Sequence, residues 1–363
     1  MKKIFFFLSF VFKIILFISI YNTIHAKNLD KYYDEDNISN YFSGIISLKD
    51  NDYANSYKFL KQLGGLEDSH YSYSRSYQFT LLNLGKFNEA FDYAKKLENK
   101  KLDNFESNLI IGIFYLKKRQ YEKANKYFKK ITKLENKEPL QVLLSYSLKN
   151  WISFSQINLS EALTLIEDMP NGFESLKTIQ KTFAHCYYSS KITEQKFDEL
   201  INIKKTDLTR FNFFYANYLL KIGKKDKAIS VIDKSLKSTP RNLLLNQLNI
   251  DLSKNNKAIR NNKFNCKKIS NIIAEIFYIT SSAFSSQSLY AFSNFYLNIA
   301  KFLNEDFVSY DTLYAENLYR MNKTQEARNA YNTIKKKGSI YDWYASKQIT
   351  NILIKKKTKE KSY

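Results

Sequence analysis

The sequence predicts an all-α fold in which antiparallel helix pairs stack into an α-solenoid. Aromatic landmarks recur at a fixed spacing, because Tyr53, Phe87 and Tyr121 are each 34 residues apart. A constant period of this length predicts a stacked helical repeat. Only 8 Gly and 3 Pro occur in 363 residues, which favours long helices with short connections. The 28 Phe and 28 Tyr side chains are enough to fill a long core between helices.

The N-terminal segment, residues 1–26, has the layout of a secretory signal. Lys2 begins a basic start, an apolar run follows, and a cleavage point is expected after Ala26. Lys13 interrupts the apolar run and leaves pieces too short to span a bilayer comfortably. The sequence therefore predicts export to the periplasm. The alternative is an uncleaved segment that anchors the chain in the inner membrane, facing the periplasm. Residues 27–36 are polar and are expected to be a linker.

The first three repeats are the clearest ones. Gly44 lies nine residues before Tyr53, as Gly112 lies nine before Tyr121, and a small residue there lets two helices cross closely. We place these repeats at residues 37–68, 71–100 and 105–136. The residues expected to pack between helices throughout the array are Gly44, Tyr53, Phe87, Ala90, Gly112, Tyr121, Ala124, Phe128, Ala216, Ala228 and Ala327.

The pattern loosens after Lys137 and returns further along the chain. A degenerate repeat is expected near 150–167, and helix pairs are expected at residues 173–202, 209–242, 267–304 and 309–337. Residues 37–340 are thus predicted to form about nine helix pairs, several of them degenerate. Residues 341–355 are expected to form a C-terminal capping helix, because the end of an array needs its apolar face covered. The basic residues 356–363 are expected to be a disordered tail.

The repeats resemble the tetratricopeptide repeat (TPR) family. Gly112, Tyr115, Tyr121, Ala124 and Phe128 fit the family pattern of a small residue in the first helix and spaced aromatic and small residues in the second. The same pattern is fitted by Ala216, Gly223, Ala228 and Pro240. The segments YFSGIISLKDNDYANSYKFL, AEIFYITSSAF and AENLYRMNKTQEARNAYNTI further resemble exported alphaproteobacterial TPR proteins of unknown function. The resemblance implies a right-handed solenoid and a role in binding other proteins.

No catalytic constellation appears in the sequence. His185 adjoins Cys186 in an expected helix, where neighbouring side chains point about 100° apart and do not meet. The scattered His and Cys residues do not supply the four ligands of a zinc site. We therefore expect no enzyme activity, metal, cofactor or small-molecule substrate. Cys186 and Cys266 could form one disulfide in an oxidising compartment. They are 80 residues apart, however, and such positions in a solenoid are expected to be distant, which favours two separate buried thiols.

The expected site is the concave surface, which the first helices of the repeats line. Apolar anchors there suit an extended or helical peptide, although apolar stripes at helical spacing also form core. The candidate residues are Tyr41, Ile45, Leu48, Arg75, Phe79, Leu82, Leu109, Ile113 and Leu116. The leading hypothesis is a non-catalytic protein–protein interaction scaffold in the cell envelope.

The net charge of +22 supports an alternative function. A strongly basic surface attracts polyanions, so the protein would be a peripheral binder of anionic lipid or another polyanion at the envelope membrane. Even spacing of the lysines along solvated helix faces instead favours a compositional origin for the charge. No nucleic-acid partner is expected for an exported protein.

Overall fold

In the computed structural model, residues 35–134, 138–203, 208–254 and 262–360 are described, with side chains up to residue 355. All regular structure in these ranges is helical, and they contain no strand. The predicted signal segment and most of the predicted linker lie outside the described residues, as do 361–363 of the predicted tail. No helix in the described ranges has both the length and the apolar content that crossing a membrane requires.

The chain divides into two compact units, Met1–Asp103 and Asn104–Tyr363. The described part of the first unit contains α1 (Glu35–Lys49), α2 (Tyr53–Leu60), α3 (Tyr71–Asn83) and α4 (Phe87–Asn99). Two short 3-10 helices, Lys61–Leu63 and Leu66–Asp68, connect α2 to α3.

The second unit continues with helices of the same kind. Its helices are α5 (Phe105–Lys117), α6 (Tyr121–Lys133), α7 (Pro139–Ser153), α8 (Leu159–Glu167), α9 (Glu174–Tyr187), α10 (Thr193–Ile201), α11 (Arg210–Lys221), α12 (Lys225–Ser238), α13 (Leu243–Ser253), α14 (Ile269–Ser286), α15 (Tyr290–Leu303), α16 (Val308–Arg320), α17 (Thr324–Lys335) and α18 (Ser339–Glu360). Within the described ranges, the helices of both units form eight consecutive pairs, and α13 and α18 stand outside these pairs.

The 34-residue period is visible in the helix boundaries. The second helices α2, α4 and α6 begin at the three aromatic landmarks of the sequence. A Cβ atom added to Gly44 would lie 2.6 Å from the Leu60 side chain, and one added to Gly112 would overlap the ring of Phe128. The helices of these two pairs therefore cross closely, as the small residues predict. The repeat alanines Ala90, Ala124, Ala216, Ala228 and Ala327 are all completely buried.

Two predicted boundaries differ from the structure. The weakly patterned region before Leu159 contains a regular helix, α7, with Pro139 at its first position and a hydrogen bond from the Glu138 N–H to the Gln141 side chain. The last helix also runs to Glu360, through the first five residues of the predicted disordered tail. Lys and Glu favour helix, which explains why a charged end continues the helical backbone.

Helices far apart in sequence pack together within the second unit. α7 packs against α14, α5 against α15, and α13 against α18. Lys117 and Glu305, 188 residues apart, form an ion pair at 2.5 Å, and the rings of Phe114 and Phe302 stack at 6.4 Å. The first helices of several pairs are therefore covered by other helices of the same unit.

The prediction of two separate thiols is wrong, because Cys186 and Cys266 form a disulfide. The segment before α14 returns to α9 and α11, where the ring of Phe264 lies 5.3 Å from that of Phe183 and 4.5 Å from that of Phe214. This return brings the two cysteine Cα atoms to 5.9 Å, within the range that a disulfide requires.

A candidate partner-binding groove

Four of the nine residues predicted to face a partner lie in the core. Leu82, Leu109 and Leu116 are completely buried, and Ile113 is 1% exposed. Their side chains fill space between helices and offer no surface to a ligand. The α5 sequence is apolar on nearly all sides, and such a helix is normally buried all round.

The five other predicted residues lie on the first unit, on α1 and α3. Tyr41, Ile45, Leu48 and Phe79 are half-buried, and Arg75 is exposed. The Tyr41 ring lies 4.8 Å from the ring of His70, and the Phe79 ring lies 6.4 Å from that of Tyr53. These contacts explain the partial burial of both aromatic residues. No cavity among those described is lined by these five residues.

Two adjoining cavities open in the second unit, and the larger of these two has a volume of about 780 Å³. It lies along α14 and α16 and reaches the starts of α11 and α13. Its lining residues are Thr209, Arg210, Thr239, Pro240, Arg241, Asn242, Leu243, Leu244, Tyr278, Ser309, Thr312, Leu313 and Glu316. A second cavity of about 440 Å³ shares Leu313 and Glu316 with it. We call the two cavities together the α14–α16 groove.

Helical spacing places the lining residues on facing sides of α14 and α16. On α16, Ser309, Thr312, Leu313, Glu316 and Arg320 follow one another at intervals of one, three and four, which lie on one helix face. On α14 the corresponding face is formed by Tyr278, Ser282 and Ser285. Both are first helices of their pairs and pack side by side. The groove thus lies on the class of helices expected to carry the site, but in the later repeats.

A buried ion pair fixes Arg210 in the wall of the groove. Its Nε atom donates to Glu275 Oε1, and its Nη2 atom donates to Oε2 at 2.9 Å. Its Nη1 atom donates to Ser309 Oγ at 2.6 Å. The guanidinium carbon also lies 3.6 Å from the ring centroid of Tyr278, a cation–π distance. The Arg210 side chain is therefore held by three residues on two other helices, α14 and α16.

The electrostatics around Arg210 keep the guanidinium charged. Burial alone would lower the pKa of Arg210, but the Glu275 carboxylate and the hydrogen bonds to it outweigh burial and raise that pKa. The Glu275 side chain is completely buried and does not line the groove. The hydroxyl of Tyr310 donates to the same carboxylate at 3.3 Å.

Two further arginines line the groove at exposed positions. Arg241 precedes α13, where the Asn242 side chain caps the helix by accepting from the Leu245 N–H at 3.1 Å. Arg320 ends α16 in the second cavity. Within the described residues, neither arginine has an ion-pair or hydrogen-bond partner. The shared Glu316 accepts a hydrogen bond from the Tyr344 hydroxyl.

Two solved structures match this chain at low sequence identity. A monomeric IFIT1 mutant with Gppp-AAAA matches at 15% identity, with 85% of this chain and 76% of that chain covered and a TM-score of 0.28. Naa15/Naa10 bound to HypK matches at 13% identity, with coverages of 89% and 67% and a TM-score of 0.24. No protein-family model and no curated protein matches the sequence.

The protein is an all-α, TPR-like solenoid. Stacked helix pairs and second helices that begin 34 residues apart characterise this fold. Within the described ranges, no three His, Cys, Asp or Glu residues form a group that could hold a metal ion. Cys186 is bonded to Cys266 and is not a free nucleophile. Burial lowers the pKa of the adjacent His185, which favours its neutral form.

The sequence contained a signal for the groove that the apolar pattern concealed. The predicted repeat at 309–337 contains this helix, but the expected site was limited to apolar positions on the first helices of the first three repeats. Polar residues at one-sided spacing on α16, together with the nearby arginines, mark the surface that the fold leaves open.

Proposed function

We propose that this protein is a non-catalytic scaffold of the cell envelope that binds an extended segment of a partner protein in the α14–α16 groove. The observation that carries the proposal is the pair of adjoining cavities between two first helices of the solenoid. Extended peptides bind to proteins through pockets that accept alternate side chains. Leu313 and Glu316 are common to both cavities, so one occupant can extend through both.

The disulfide supports the proposed location of the protein. Disulfides persist in oxidising compartments such as the bacterial periplasm and are rare in reducing cytosol. The bond between Cys186 and Cys266 is therefore consistent with the secretory signal expected at residues 1–26 and with the resemblance to exported TPR proteins. A fusion of residues 1–26 to alkaline phosphatase tests export, and we expect phosphatase activity outside the cytoplasm. Activity only after cell lysis would contradict it.

Photo-crosslinking tests the binding function. A photoreactive amino acid at position 313 lies in the part shared by both cavities, and we expect it to capture a defined partner in the envelope fraction. The matched control carries the same group at Asn332, which is exposed on α17 outside the lining of both cavities. Capture of the same proteins from both positions, or of none from position 313, would contradict the proposal. Capture of lipid alone would favour the basic lipid binder instead.

A further inference from the structure

The charged side chains of the α14–α16 groove are predominantly cationic. Three arginines line the two cavities, namely Arg210, Arg241 and Arg320, and Glu316 is the single carboxylate among the lining residues. Glu275 compensates the charge of Arg210 from beneath the wall. Within the described residues, neither exposed arginine forms an ion pair. Arg241 and Arg320 together outweigh the exposed Glu316, so the groove presents one net positive charge to an occupant.

The choice of arginine is unusual for this chain. The sequence has 57 Lys and Arg residues, of which only seven are Arg, yet three of these seven line the groove and no lysine does. A compositional bias that fills solvated helix faces with lysine does not explain this distribution. Arginine differs from lysine in its planar fork of N–H donors, which binds a carboxylate through two parallel hydrogen bonds. The arginines therefore indicate recognition of planar anionic groups.

Arg210 is arranged in advance for such recognition. Glu275, Ser309 and the Tyr278 ring fix the plane of its guanidinium. Three of its five N–H donors are used in these contacts, which leaves two N–H groups at the wall of the cavity. A side chain already held in position loses less entropy when it binds, so the binding energy of each contact is better preserved.

The apolar part of the lining favours a peptide over a free anion. Pro240, Leu243, Leu244 and Leu313 line the larger cavity beside the arginines. In the smaller cavity, the Ser285 and Ser286 hydroxyls donate to Asn317 Oδ1 and to the Ala283 carbonyl, so their oxygens remain as acceptors for the N–H groups of a polar main chain. An extended peptide whose acidic side chains alternate with aliphatic ones matches this mixture of surfaces.

We propose that the α14–α16 groove recognises an acidic, aliphatic segment of the partner. Arg241 and Arg320 bind the side-chain carboxylates of this segment, and Arg210 supports the groove wall between these two arginines and the core. This inference rests on the proposed scaffold function and specifies the chemistry of its ligand. Recognition is by internal acidic side chains and does not require a free C terminus.

A peptide-binding measurement tests this proposal. The probe is a fluorescein-labelled peptide of alternating glutamate and leucine, amidated at its C terminus, and fluorescence anisotropy reports its binding to the purified, oxidised protein. We expect Arg241→Glu combined with Arg320→Glu to weaken binding about tenfold or more. The corresponding glutamine–leucine peptide should bind neither the wild type nor any variant with the affinity that the wild type has for the glutamate peptide.

A matched variant separates local recognition from the net charge of the protein. Lys225→Glu combined with Lys336→Glu changes the charge by the same amount at exposed positions outside the lining of both cavities. We expect this variant to bind the glutamate peptide as the wild type does. Equal weakening by both double variants would overturn the proposal, as would absence of binding by the wild type or equal binding of the glutamine peptide.

The result is separable from the test of the scaffold function. If position 313 still crosslinks its partner and the arginine reversals do not change that yield, the groove binds a partner without acid recognition and this inference alone is wrong. If position 313 captures no partner, the scaffold function itself is wrong. Arginine-dependent binding of phosphatidylglycerol vesicles without binding of the peptide would assign the groove to lipid and overturn the inference.

Discussion

Cys186 on α9 is bonded to Cys266 in the segment that precedes α14, and their Cα atoms are 5.9 Å apart. The bond lies beside an independent contact, because the Phe264 carbonyl accepts hydrogen bonds from Asn217 at 3.1 Å and from Lys221 at 2.5 Å. The disulfide and these hydrogen bonds together tie the start of α14 to α9 and α11. They therefore stabilise the position of α14, which forms one side of the groove.

Removal of the disulfide should destabilise the second unit. Cross-linking residues 80 apart restricts the unfolded chain, so Cys186→Ala with Cys266→Ala should lower the free energy of unfolding by about 4 kcal/mol. Urea unfolding can be followed by the fluorescence of the buried Trp151, in a Trp343→Phe background that removes the exposed tryptophan. Dithiothreitol should cause the same shift in the wild type and none in the variant. An unchanged urea midpoint would contradict the prediction.

The repeat pattern predicted the helix pairs because local spacing determines them. Tyr53, Phe87 and Tyr121 each follow a short turn, and the period of the apolar positions fixes which face of each second helix is buried. The disulfide was not predictable in the same way. Sequence separation does not reveal that the segment before α14 returns to α9 and α11, and this return brings Cys186 and Cys266 together.

The site was harder to predict than the fold for a related reason. An apolar residue on a first helix suits both a core and a peptide groove, and only the position of other helices decides between them. Leu109 and Ile113 are covered, whereas the polar face of α16 around Leu313 and Glu316 remains open. The repeat pattern predicted which helices are the first helices of their pairs. It did not predict which of these first helices are covered by other helices of the same unit.

Removing one member of the Arg210–Glu275 pair should lower the free energy of unfolding more than replacing both members does. Glu275→Gln leaves the largely buried Arg210 charge without its partner, and we expect a loss of about 3–5 kcal/mol of stability. Replacing both residues by Met removes both charges, so the double variant should be more stable than the single one. Urea unfolding of the two variants and the wild type measures the difference. A double variant less stable than Glu275→Gln would refute this expectation.

The close helix crossing at Gly112 predicts a steric penalty. A methyl group there overlaps the Phe128 ring, so Gly112→Ala should cost about 1–3 kcal/mol despite the better helix propensity of alanine. Phe128→Leu in the same chain should recover part of the loss by making room. The control is Gly64→Ala, where an added Cβ meets no atom within 4 Å and φ is −56°. Thermal unfolding should show a clear fall in Tm for the first variant and little change for the control.

Glu67 should make the first unit sensitive to acid. Burial alone would raise the pKa of this carboxylate, but hydrogen bonds from Lys96, Lys100 and the Gly65 N–H outweigh it and lower the pKa to about 2. Because the folded pKa lies below the unfolded one, its contribution is present above about pH 5 and is lost as the pH falls towards 2. The partly exposed lysines reduce that contribution to about 2 kcal/mol.

Hydrogen exchange measures this contribution where it acts. At pH 7 we expect Glu67→Gln to speed exchange of the slowest amides in α3 and α4. The free energies of opening for wild type and variant should converge as the pH falls to about 2. The control is Glu305→Gln, whose carboxylate is exposed in the second unit, and it should leave α3 and α4 unchanged. A wild-type advantage that persists undiminished to pH 2 would show that the carboxylate charge is not its source.

At the helix crossing of the second repeat, the large side chain is Gln78 on the first helix, whereas the flanking repeats have a glycine there. This position predicts a stabilising substitution. It lies 34 residues from both Gly44 and Gly112, and Ala94 stands at the position that Leu60 and Phe128 occupy in the flanking repeats. The larger side chain has therefore moved from the second helix to the first. Gln78 is completely buried, and within the described residues neither its Oε1 nor its Nε2 atom has a hydrogen-bond partner.

Burying an amide that has no hydrogen-bond partner is unfavourable, because its hydrogen bonds to water are lost and not replaced. A methionine thioether of similar shape does not have this penalty. Gln78→Met should therefore stabilise the first unit by about 1–3 kcal/mol. Gln78→Ala should instead destabilise it, since the neighbouring Ala94 leaves the resulting cavity unfilled. Hydrogen exchange of α3 and α4 distinguishes the two variants by slower exchange in the first and faster exchange in the second. Faster exchange in Gln78→Met would mean that the amide has a favourable interaction in solution and that its burial stabilises the fold.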